Sequence, residues 1–138
     1  MALTTYAAFR AAVAGLAIAD VTRTYDYPPT SVNHADLPVQ YVVLMRPDSP
    51  EAHISFDGIG GWPQFRAELV VLVEPVVLNK QEYNYDDVVA MMDNVADALR
   101  DAACTIGKGP HSWTVWPEVR EVVGTDYWAV VAEIVTNG

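Results

Sequence analysis

Histidines, cysteines and paired carboxylates are the side chains that most often do chemistry, and here none of them falls into a recognisable catalytic frame. His34, His53 and His111 lie far apart, without the i, i+4 or short-loop partner that a zinc site uses. Cys104 is the only cysteine, so it can close neither an internal disulfide nor a thiolate cluster. In its Ala-rich setting it reads as a small buried hydrophobe at the end of a helix. Gly58-Ile59-Gly60-Gly61 leads into Trp62-Pro63 and a strand, whereas a phosphate-cradling loop opens a helix, so these glycines read as turn chemistry. No serine sits in a nucleophile elbow. Asp86-Asp87, or Glu118 with Glu121, are conceivable acid-base pairs without a frame around them, and Asp48, Glu51 and Asp57 are too sparse for a calcium loop. The expectation is a non-enzymatic chain with no catalytic residue, cofactor or metal.

Composition sets the scale of what must hold these residues. A chain of 138 residues, 51% hydrophobic and 19% charged, predicts one globular domain over 1–138 whose core needs neither disulfides nor a metal. The apolar N-terminus is interrupted by Arg10 and lacks a basic leader, and no apolar run reaches the length of a membrane span. The expectation is a soluble protein made in a cytoplasm, with no membrane partner. With a net charge of −10 and its basic residues scattered, the chain has no footprint for gripping nucleic acid.

The elements follow from periodicity. Phe9, Val13 and Leu16 recur at helical spacing within an Ala-rich stretch, predicting a first helix over Thr4 to Ala19, capped by Thr4 or Thr5 and weakened by Gly15. Val21 to Tyr25 alternates as a short strand before the turn at Tyr27-Pro28-Pro29, and Val39 to Met45 is a second, largely buried strand. The Gly- and Pro-containing stretch from Pro47 to Gly61 is longer than the usual connection in a compact domain, and long loops are often functional. Within it His53-Ile54-Ser55-Phe56 alternates. It is either a projecting hairpin whose Ile54 and Phe56 await a partner, or a loop folded back on the core. Trp62 to Leu78 predicts the central strand, with Glu74-Pro75 marking a bulge or an exit to an edge.

Asn84 to Ala103 is the clearest helix, with Val88, Met91, Val95 and Leu99 on one stripe and Asn84 as N-cap. Asp86, Asp93, Asp97 and Asp101 gather opposite that stripe as a carboxylate ridge, facing either solvent or a neighbour. Ser112 to Trp116 and Val119 to Val123 read as strand on either side of Pro117, with a turn at Gly124-Thr125-Asp126 and a last strand from Tyr127 to Val135. Together these predict an α+β fold, with a mainly antiparallel sheet of four to five strands and two helices packed on one face. Four tryptophans and seven tyrosines are more than so small a core can enclose, which places some of them at interfaces.

This order of elements, together with Tyr25-Asp26-Tyr27-Pro28-Pro29, Asp36-Leu37-Pro38 and the strand Val39 to Met45, resembles the tail-terminator and tail-completion (head-tail joining) proteins of long-tailed phages. The likeness is one of layout and spans most of the chain. It implies a ring, commonly a hexamer, on the head-proximal end of the tail tube. Such a ring caps the tube, meets the neck or connector proteins with its other face, and lets DNA pass during ejection without specific binding. The implied location is the virion, at the head-tail interface, after assembly in the host cytoplasm. On this reading the candidate contact residues are Tyr27, Pro28, Pro29, His53, Ile54, Ser55, Phe56 and Trp62, with the Asp86, Asp93, Asp97 and Asp101 ridge at the channel or in solvent. The alternatives are a neck (head-tail connector) subunit and a small dimeric ligand-binding α+β domain.

Overall fold

The structure, a computed structural model, describes residues 5–43, 54–55, 64–77, 85–102 and 112–137. Helix α1 covers Tyr6–Ala14. Thr5 caps it from an extended backbone, its hydroxyl accepting from the Ala8 amide at 3.1 Å. The helix stops well short of Ala19 because Gly15 takes the C-cap position, its amide donating to the Ala11 carbonyl. Helix α2 covers Tyr85–Asp101 and buries Val88, Met91, Val95, Ala98 and Leu99, the spacing expected of one apolar stripe. The Asn84 cap and Cys104 lie outside the described residues.

The strands are β1 (Arg23–Thr24), β2 (Val39–Val43), β3 (Ile54–Ser55), β4 (Gln64–Pro75), β5 (Ser112–Val122) and β6 (Thr125–Asn137). Five of them run in the order β1-β2-β4-β6-β5, and the short β3 pairs with β4 beside that path. Only the β1–β2 ladder is parallel, so the fold is α+β with a mostly antiparallel, mixed sheet. The β4–β6 register shifts between Leu72 and Glu74, the bulge that Glu74-Pro75 predicts. Pro117 does not split the next strand: β5 is continuous through it. Because β5 ends the strand path, its missing amide donor can face away from the ladder.

Alternation along the strands gives each face of the sheet its own core. On one face Phe65, Leu69, Val71, Val130 and Ile134 join Phe9 and Val13 of α1 and the stripe of α2. There α1 contacts β2 and β4, and α2 contacts chiefly β5 and β6. Gln40 ties α1 to the sheet from a fully buried position: its Nε2 donates to the Ala14 and Leu16 carbonyls at 3.0 and 2.9 Å, satisfying acceptors at the helix end. The opposite face buries Val39, Tyr41, Val70, Leu72, Tyr127 and Val131. It is covered by Tyr25, Val32 and Leu37 from the segment between β1 and β2, and by Trp116 and Val122 of β5. His34, in a short 3-10 turn of that segment, shares a 3.0 Å hydrogen bond with the Tyr127 hydroxyl and meets its ring edge-on.

Candidate interaction surfaces

Two of the segments singled out by sequence lie toward one end of the sheet. β2 runs toward Val43, which pairs with Glu68 near the start of β4, and at that start Ile54 pairs with Phe65 and Ser55 with Gln64. The chain leaves β1, parallel to β2, in the same direction, and Arg10 of α1 holds it by donating to the Asp26 carbonyl at 2.6 Å. Tyr27 then stands 68% exposed, Pro28 is exposed and Pro29 half-buried, while Ile54 is 57% exposed. A bulky apolar side chain on a short strand at a sheet margin is left in solvent, the kind of exposure that makes a surface a candidate for interaction. His53, Phe56 and Trp62 lie outside the described residues.

The other end carries a second set. The β5–β6 hairpin turns through Val123 and Gly124, both at positive φ, 49° and 82°. Two left-handed residues are what a tight two-residue turn demands, and this pair, rather than Gly124-Thr125-Asp126, makes the turn. A β-branched side chain is strained there, yet Val123 stands 71% exposed at the tip. Val77 is also exposed, close to where the Val76 amide donates to the Asp126 carbonyl.

Between α2 and this hairpin runs a groove of about 410 Å³ lined by Tyr85, Val88, Val89, Met92, Pro117 and Trp128, with Asp93 as its charged member. Tyr85 and Val89 are exposed beyond it, as is Val119, which pairs with Trp128 across the ladder. The indole Nε1 of Trp128 is buried with no hydrogen-bond partner. Sequence reading missed this groove. Its signal was Tyr85 and Val89, apolar side chains four apart on α2 but off the core stripe.

The predicted carboxylate ridge is present on α2, with Asp86, Asp93, Asp97 and Asp101 all exposed. Asp97 holds Arg100 at 3.3 Å, an open ion pair of little energetic weight. A smaller cleft beside the helix gathers Asp20, Glu74, Asp87 and Asn94; the Asn94 amide donates to Asp20 at 3.2 Å. Among the described residues no group of His, Cys, Asp or Glu is arranged to hold a metal ion, and no helix is long and apolar enough to cross a membrane.

A cluster of paired charges sits on the sheet face away from the helices. Arg120 of β5 donates to Glu68 at 2.8 Å and to Glu118 at 2.9 Å, and Trp116 Nε1 donates to Glu118 at 2.9 Å. Burial raises the pKa of the Tyr41 phenol, against the opposing pull of the Arg120 cation hydrogen-bonded to it. Burial also opposes the charge of Arg120, but its bonds to Glu68 and Glu118 outweigh that and raise its pKa. Arg66 and Glu133 form a second pair. Each of these charges is matched by a neighbour, so the cluster works as a clasp and not as a poised acid or base. Its signal in sequence is alternation: Glu68 shares a face with Val70 and Leu72.

No protein-family model matches this chain, and no curated protein matches it in sequence.

Proposed function

We propose that this chain is a structural subunit of a phage virion, of the tail-terminator or tail-completion kind. In this reading copies of the chain close into a ring, hexameric by the family resemblance, at the head-proximal end of the tail. One face of the ring caps the tail tube and the other meets the neck or connector proteins, while DNA passes without specific binding. The observation that carries the reading is the division of exposed apolar side chains between the two ends of the sheet. Tyr27 and Ile54 stand toward one end and Val77 and Val123 toward the other. A subunit with different partners above and below needs two such surfaces, joined by a lateral contact that rotation closes. The net charge of −10 suits passage of DNA, because an acidic lining repels the phosphate backbone.

The test is electron microscopy of particles assembled without this chain. The expected result is tails with irregular head-proximal ends, detached from filled heads; normally joined particles of normal tail length would overturn the reading. A neck subunit shares this location and differs in partner: it would bind portal or adaptor protein and leave tube ends alone. The reading as a small ligand-binding domain draws on the groove under α2. Its apolar rim runs on past the cavity to Val119, more surface than a small ligand covers.

A further inference from the structure

We infer that the groove between α2 and the β5–β6 hairpin is a docking site for a segment of another protein that carries a bulky apolar anchor beside a lysine or arginine. The inference stands on the groove itself and goes beyond the ring reading.

The walls define the anchor. Val88, Val89 and Met92 from α2 and Pro117 and Trp128 from the hairpin enclose about 410 Å³, which accepts one or two large side chains. Tyr85, Val89 and Val119 continue the apolar surface onto the rim, so the occupant extends beyond the cavity as a polypeptide does. The charge of the lip defines the flanking residue. Asp93 belongs both to the groove and to the exposed ridge, and Asp86 lies on the same side of α2, so that edge is negative, while Asp97 farther along already holds Arg100. A cationic side chain next to the anchor meets that edge at contact distance and is steered to it from farther away. The same charge argues against a second copy as occupant: a chain of net charge −10 brings its own acidic ridge to the encounter. Trp128 contributes to a wall of the groove, which makes its indole a reporter of occupancy.

The test is selection of a random decapeptide library, displayed on ribosomes, against the immobilised full chain, with binding of the enriched peptides measured in solution. The expected enrichment is a bulky apolar residue within two positions of Lys or Arg. Affinity should fall roughly tenfold in Val89→Arg and in Asp93→Arg, which change exposed positions, and by less in Asp93→Asn. The indole N–H resonance of Trp128, assigned by its loss in Trp128→Phe, should shift on binding. No enrichment, enrichment of acidic peptides, or binding indifferent to both arginine variants would overturn the inference. So would a Trp128 resonance that moves with protein concentration alone, which would give the groove to a second copy. Tighter saturation by n-hexylammonium than by any selected peptide would instead assign it to a small amine.

Discussion

Arg120 on β5 and Glu68 on β4 form an ion pair at 2.8 Å although the ladders set them far apart. Arg120 pairs with Tyr127, and Tyr127 pairs with Pro75, at the opposite end of β4 from Glu68. On a flat sheet the distance along β4 from Pro75 to Glu68 is roughly 20 Å, beyond the reach of both side chains together. The β5–β6 hairpin must therefore curl over the face away from the helices, and the bulge between Leu72 and Glu74 supplies a bend in β4. Arg120 holds that curl closed.

Removing the cation should therefore cost more than a surface pair does. The side chain of Glu68 is 8% exposed and that of Arg120 20%, so Arg120→Met takes a cation from a poorly solvated carboxylate, at a cost of up to about 3–5 kcal/mol. The double variant Arg120→Met with Glu68→Leu should recover part of that loss, because the most buried carboxylate of the cluster no longer needs the cation, while Glu118 keeps its bond from Trp116. Urea unfolding of the two variants measures the difference; equal losses in both would remove the clasp.

The same cluster predicts an alkaline limit. Tyr41 is buried, and its pKa in the folded state lies above the ordinary 10.0. Below that ordinary value the phenol is protonated in both states and its contribution to stability is intact. As pH rises from there through the raised folded-state value, the unfolded chain ionises first and the contribution is lost. Burial raises the pKa of Tyr6 as well, so ultraviolet titration of Tyr41→Phe should show one fewer late-ionising tyrosine than the parent, with Tyr6 still ionising late. Melting temperature should fall with pH less steeply in that variant than in the parent.

Val123 trades stability for position. At φ 49° a valine is strained and an asparagine is not, so Val123→Asn should stabilise the fold by about 1 kcal/mol. Val123 is exposed, so little buried contact is lost. A stability gain accompanied by weaker assembly at that end is the expected pair of results, read by thermal unfolding and by particle joining. A stability loss would show that the turn does not strain the valine.

At the opposite end, Ile54→Asp and Tyr27→Asp should leave the melting temperature within a few degrees of the parent, since neither side chain enters the core. Both should reduce capping of tube ends, counted by electron microscopy as tails with a blunt, closed head-proximal tip. Undiminished capping would remove these residues from the contact surface.

Much of the fold was legible because it rests on local signals. The stripe of α2, the Thr5 cap of α1 and the irregularity at Glu74-Pro75 each follow from side-chain spacing or from a missing donor. The groove and the clasp depend instead on which strands lie side by side. Nothing within Arg120's own neighbourhood in the chain announces Glu68, and Trp128 shares a groove with Val89 only because α2 packs on β5 and β6. Tyr27 and Ile54 could be selected as unhoused apolar residues, but their placement toward one end of the sheet required the β1–β2 and β3–β4 registers.

The measurement that bears most directly on the ring reading is solution mass by light scattering coupled to size exclusion, for the purified chain alone and mixed with tail-tube protein. The expected result is a mass several times 15.1 kDa, present either in the free protein or on addition of tube protein, and converging on one closed stoichiometry. A monomer or dimer whose mass is indifferent to tube protein would contradict it.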